Sequence, residues 1–115
     1  MELKKGTLSH LQEYIAEKIK TRGFEDETLQ ERLLLLTEEL GELINAVRRV
    51  SGMNVDKNRE IKNETGEEVA DVINMVFAVG IKLGLDIEKE FMAKNAKIDE
   101  RIYGRSSKKI DLDKK

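Results

Sequence analysis

A chain of 115 residues is the size of one small domain, read here as a core over about 8–104 and a polar tail over 105–115. Charged residues make up 38% and hydrophobic ones 39%, with no proline and no tryptophan, which favours amphipathic helices over a sandwich or barrel. A net charge of −2 argues against general nucleic-acid binding, the absence of cysteine excludes zinc–thiolate sites and thiol nucleophiles, and the single histidine, His10, excludes a multi-histidine metal site.

Leu8, Leu11, Ile15 and Ile19 recur at helical spacing and predict a first helix from about Leu8 to Arg22. Ser9 and Gln12 carry a capping-box signature, Gly23 is a natural stop, and Phe24 is placed to fold back on the helix end. A second helix is predicted from Thr28, which forms a capping box with Glu31, to Val50, stopping at Ser51-Gly52. Leu33, Leu36, Leu40, Leu43, Ile44 and Val47 form one broad stripe of core type, whereas Leu35 and Ala46 fall on the side of Glu39 and Glu42. Residues 52–63 read as a polar connection in which Lys57, Arg59 and Lys62 concentrate positive charge, either a solvated linker or a flap over a phosphate site. A third helix, about Glu64 to Leu83, has no charge from Val72 through Ile81 and is expected to be the most buried element. Gly84 ends it. Asp86 is placed to cap a fourth helix from Ile87 to about Tyr103, with Phe91 and Ile98 toward the core, Gly104 closing it and the tail frayed. No apolar run reaches the ~18 residues of a membrane span. No apolar segment of signal type follows Met1-Glu2-Leu3-Lys4-Lys5, so the expected location is the cytoplasm.

The two central helices share a pattern. Glu39-x-x-Glu42-x-x-Asn45 matches Glu68-x-x-Asp71-x-x-Asn74. A spacing of three places the two carboxylates of each pair about 60° apart on one helix face. Such charges are costly on a mostly apolar helix unless something compensates them. Glutamate is a good helix former, so one motif alone is weak evidence. Two motifs on the two most apolar helices point to four carboxylates turned toward each other around a hard cation, Mg²⁺ or Mn²⁺ rather than zinc. Glu38 lies about 40° from Glu42 by the same geometry, as a further ligand, a general base or the solvent edge of the helix.

Glu38-Glu39-x-x-Glu42 followed by Glu68-x-x-Asp71, within Leu33-Leu34-Leu35-Leu36-Thr37-Glu38-Glu39-Leu40-Gly41-Glu42-Leu43 and Glu67-Glu68-Val69-Ala70-Asp71-Val72, resembles the signature of the MazG-like all-α nucleoside triphosphate pyrophosphohydrolases. The likeness runs from about Leu8 to Arg101. It implies Mg²⁺-dependent cleavage between the α- and β-phosphates of a nucleoside triphosphate, in nucleotide-pool house-cleaning. By motif position it implies Glu39, Glu42, Glu68 and Asp71 as metal ligands, with Glu38 orienting or deprotonating water. It also implies basic and amide residues of the last core helix at the phosphates, here Lys94, Asn95, Lys97 and Arg101, with Asn74 following the second motif. Each basic residue taken alone equally fits a solvated helix face.

Lesser candidates weigh toward structure: His10 as a surface residue, Tyr14, Phe24 and Tyr103 as packing rather than base-stacking groups, and Met53, Met75 and Met92 as gap fillers. The expected architecture is all-α, with a four-helix core, the two acidic helices antiparallel and the fourth closing their cleft. A homodimer or homotetramer is expected to cover the apolar third helix, with no nucleic-acid or membrane partner. The rival function is a non-catalytic helical interaction or nucleotide-sensing module.

Overall fold

The computed structural model describes residues 1, 3–52 and 65–113, with side chains described through Arg101. These residues form helices α1 (Thr7–Thr21), α2 (Leu29–Val50), α3 (Thr65–Lys82) and α4 (Ile87–Asp113), with no strand among them. The all-α expectation is met. The 52–63 connection falls almost wholly outside the described residues, and with it Lys57, Arg59 and Lys62.

Several helix ends follow from local chemistry. Thr28 stands extended before α2, and its hydroxyl accepts from the Glu31 N–H at 3.1 Å while the Glu31 carboxylate accepts from the Thr28 N–H at 3.2 Å. This is the reciprocal capping box its sequence signals. After α1, Gly23 turns left-handed (φ 80°) and the Phe24 N–H donates to the Ile19 carbonyl at 2.9 Å. After α3, Gly84 does the same (φ 71°), with the Leu85 N–H on the Gly80 carbonyl at 3.0 Å. Both are Schellman closures that satisfy otherwise orphaned carbonyls. At α4, the Asp86 side chain accepts from the Lys89 N–H at 3.1 Å, the expected cap.

The start of α1 departs from expectation. Gly6 is its N-cap and no local side chain caps it. The Glu88 carboxylate, from the first turn of α4, accepts instead from the N–H groups of Gly6 (3.0 Å), Leu8 (3.0 Å) and Ser9 (3.3 Å). An ionised carboxylate is a stronger acceptor than a hydroxyl and complements the positive end of the helix, so it displaces the Ser9–Gln12 box. Gln12 joins the same corner, donating to the Leu85 carbonyl at 2.9 Å and accepting from the Ile87 N–H at 3.0 Å.

The end of α4 also departs. The helix runs through Gly104 to Asp113, so residues 105–113 are helical rather than frayed. A glycine inside a helix costs only about 1 kcal/mol relative to alanine. It acts as a stop where the chain turns left-handed, as it does at Gly23 and Gly84.

α2 and α3 pack antiparallel. Arg32 of α2 reaches the Ala78 carbonyl of α3, whereas Glu39 and Glu42 meet Glu68, so numbers rise on one helix as they fall on the other. α1 lies against α3 and α4. Among the described residues the buried apolar side chains are Ile15, Ala46, Phe77 and Ala78. Gly80 is also buried, and a Cβ there would lie 2.9 Å from Ile87 Cδ1, so the first residue of α4 seats directly on α3 backbone.

The predicted leucine stripe is not buried within the chain. Leu33, Leu40, Ile44 and Val47 of α2, with Val69, Ile73 and Val76 of α3, are between 41% and 60% exposed. The side of α2 that faces α3 is the one carrying Ala46, Leu35 and the carboxylates. α3 is therefore buried along one side only, and on α4 Phe91 is exposed rather than turned to the core. Periodicity marks which face is apolar; it does not say what covers it. The Cα radius of gyration, 18.8 Å, exceeds the roughly 13 Å of a compact chain of this length. Among the described residues no helix is long and apolar enough to cross a membrane.

Candidate metal centre

The antiparallel pairing brings the two acidic motifs to one level. One carboxylate oxygen each from Glu39, Glu42 and Glu68 lie within 4.8 Å of one another. Neighbouring oxygens on an octahedral Mg²⁺ at about 2.1 Å are about 3.0 Å apart and opposite ones about 4.2 Å, so the three carboxylates would draw together by up to about 1.8 Å to share one ion. Asp71 lies outside this trio, exposed, but near enough for its charge to act on Glu39.

Glu39 is the centre of the group. It is half-buried, and its Oε2 is fully enclosed with no hydrogen-bond partner. Its carboxyl is held above the usual carboxylate range, first by burial, then by the charges of Glu42 and Asp71, a hydrogen bond with Glu42 and the charge of Glu68. An enclosed oxygen without a donor and several carboxylates opposing one another's ionisation are what a divalent cation relieves. The donors are all oxygen, so the residues present fit Mg²⁺ or Mn²⁺.

The remaining predicted residues are more dispersed. Glu38 is exposed at the solvent edge of α2. Asn74 lies one turn beyond Asp71, at the wall of a neighbouring cavity. Lys94, Lys97 and Arg101 are exposed, and the Asn95 amide donates to the Phe91 carbonyl of its own helix at 2.9 Å. α4 packs on α1 rather than across the α2–α3 pair, so the expected closure of the cleft by α4 is not the packing seen within one chain. The cause is Glu88, which ties the start of α4 to the start of α1.

Next to the carboxylates lies a cavity of about 450 Å³ between α1, the turn after it, α2 and α3. Tyr14 and Phe24 line it, each 51% exposed, so neither is the core residue expected of it. Met75 also lines it, whereas Met92 is exposed on α4 rather than filling a gap. His10 is exposed, as expected.

Two residues that organise the site carried little signal in sequence. Arg32 is 2% exposed and donates to the Ala78 carbonyl (2.6 Å) and the Phe24 carbonyl (3.3 Å). It fixes the turn after α1 against α2 and α3, which shapes the cavity. A charge directly before four leucines was the available clue. Glu88 had none, because its partners lie about eighty residues away in the chain.

No family model, no curated protein and no solved structure matches this chain.

Proposed function

We propose that the chain is a Mg²⁺-dependent nucleoside triphosphate pyrophosphohydrolase of the MazG-like kind, releasing a nucleoside monophosphate and pyrophosphate, with Mn²⁺ as an alternative ion. The observation that supports this most is the convergence of Glu39, Glu42 and Glu68 within 4.8 Å, with an enclosed, unpartnered oxygen on Glu39. These residues, with Asp71, would hold the metal. When bound, it neutralises phosphate oxygens and makes a nearby water more acidic. Water attacks phosphorus, the bond between the α- and β-phosphates breaks, and pyrophosphate leaves with the electron pair of that bond. Glu38, next to the cluster and open to solvent, is the group proposed to orient the water or take its proton.

Lys94, Lys97 and Arg101 are proposed to meet phosphate oxygens that the cations leave uncovered, with Asn95 beside them. Since α4 does not cover the carboxylates of its own chain, these contacts come from a second copy. The exposed apolar face of α2 and α3 supplies the surface on which a homodimer or homotetramer would form. House-cleaning of surplus or non-standard nucleotides in the cytoplasm is the proposed role.

The same apolar face also favours a second reading, a helical interaction module that holds metal without catalysis. Pyrophosphate release by the parent chain with Mg²⁺ separates the two, and Glu42→Gln tests the carboxylate site, because it removes one ligand charge and keeps the shape. Pyrophosphate release should fall to background while the far-ultraviolet circular dichroism is unchanged. Parental release by this variant at saturating Mg²⁺ would overturn the carboxylate site. Light scattering at micromolar concentration should give a multiple of the 13.2 kDa chain mass, and a mass of one chain would overturn the assembly.

A further inference from the structure

We propose that Glu88 is a positioning residue for the phosphate contacts. By anchoring the first turn of α4 to the start of α1, it sets the bearing of the whole helix and so decides whether Lys94, Lys97 and Arg101 reach phosphate. The proposal rests on the phosphate-contact reading above and adds the joint that controls it.

The joint is small. Glu88 is 7% exposed and uses both carboxylate oxygens, Oε2 for the Gly6 N–H at 3.0 Å and Oε1 for the N–H groups of Leu8 at 3.0 Å and Ser9 at 3.3 Å. Gln12 reinforces it from α1, donating to the Leu85 carbonyl and accepting from the Ile87 N–H. Ile87 rests on the backbone of Gly80. Past these residues the helix leaves the body. Lys89 through Lys94 are exposed without a break, which is more than one full turn, so every face of α4 is open there.

A helix held at one end is a lever. Lys94 lies six residues past Glu88, about 9 Å along the axis, and Arg101 thirteen residues past it, about 20 Å. A tilt of about 10° at the joint carries Lys94 about 1.6 Å sideways and Arg101 about 3.4 Å. Charge-assisted hydrogen bonds hold over a window of a few tenths of an ångström, and the planar fork of arginine follows such a shift least well. Glutamine at position 88 would keep the shape of the anchor but set an NH₂ group against one side of the converging N–H donors, so the joint would loosen.

The test uses the full chain. It has no native cysteine, so spin labels go on at Glu17→Cys and Glu100→Cys alone. Double electron–electron resonance, with labelled chains diluted in unlabelled ones, should give a narrow distance distribution in the parent and a broad one in Glu88→Gln. Glu88→Asp, which keeps the charge on a shorter stem, should fall between them. In the unlabelled chain, Glu88→Gln should lower kcat/KM for pyrophosphate release about tenfold to a hundredfold, the order of one lost charge-assisted contact. Mg²⁺ binding should be unchanged. Adding Arg101→Ala to Glu88→Gln should cost less than about twofold more, because the contact is already lost. Gln12→Ala removes two hydrogen bonds of the same joint and no charge, and carries the same test if Glu88→Gln loses its helices. Narrow distances in both Glu88→Gln and Gln12→Ala would overturn the anchor. A broadened arm with parental kcat/KM, or losses from Glu88→Gln and Arg101→Ala that multiply, would overturn the positioning role. A parent chain that never releases pyrophosphate, while its arm broadens on Glu88→Gln, keeps the anchor and loses the hydrolase with its phosphate contacts.

Discussion

Replacing Arg32 by methionine tests how the cavity is held. The substitution keeps most of the stem volume and removes the guanidinium. Three groups lose their partner: the Ala78 carbonyl at 2.6 Å, the Phe24 carbonyl at 3.3 Å and the Glu27 carboxylate at 3.7 Å. Hydrogen bonds from a charged donor contribute about 1.5–3 kcal/mol each. The Glu27 side chain is 20% exposed, so part of its loss is made up by water, and removing the buried charge itself returns some desolvation energy. Breaking one side of a buried charged group typically costs about 3–5 kcal/mol, and that is the expected loss here. For a domain of this size it corresponds to a fall of roughly 10–25 °C in Tm. Thermal and urea unfolding followed by circular dichroism would measure it, with Arg32→Lys intermediate because an ammonium cannot reach both carbonyls. A loss under about 1 kcal/mol would refute the assignment, since it would mean that the two carbonyls find other partners.

Glu88→Gln should lower the Tm at neutral pH, because the cap it makes on α1 depends on an ionised carboxylate. The Glu88 carboxyl is held below its usual range, chiefly by the Gly6 N–H and then those of Ser9 and Leu8, against the opposing effect of burial. Its stabilisation is therefore present above the unfolded value of 4.5, is lost as pH falls through the lower folded value, and the variant should lack that acid-side loss. Glu39 has the opposite sign. Raised by burial and its neighbours, it stabilises the metal-free fold fully below 4.5, and that contribution is lost as pH rises through its higher folded value. Mg²⁺ should raise the Tm, more at neutral pH than in acid, and a Tm indifferent to Mg²⁺ across that range would count against the cluster.

Helix ends at Thr28, Gly23 and Gly84 were legible because each depends on residues within one turn of it. The i, i+3 carboxylates were legible for the same reason, and antiparallel pairing then sufficed to bring them together. Ser9 and Gln12 misled because a stronger acceptor, Glu88, arrives from the far end of the chain, and no local pattern announces it. The leucine stripe misled in another way. Its period identified an apolar face on α2, but an apolar face is consistent with burial against any surface, and α3 packs on the other side. Hydrophobicity is the strongest signal Phe24 carries and predicts packing; its place at a cavity edge comes from Arg32 holding the turn beneath it.

The central claim is tested most directly by the products. The full chain is incubated with Mg²⁺ and, in turn, each nucleoside triphosphate, and the phosphorus-containing products are resolved by ³¹P nuclear magnetic resonance. The account predicts nucleoside monophosphate and pyrophosphate in equal amounts, with none formed when the metal is chelated. Nucleoside diphosphate with inorganic phosphate, or no turnover of any triphosphate at saturating Mg²⁺, would contradict it.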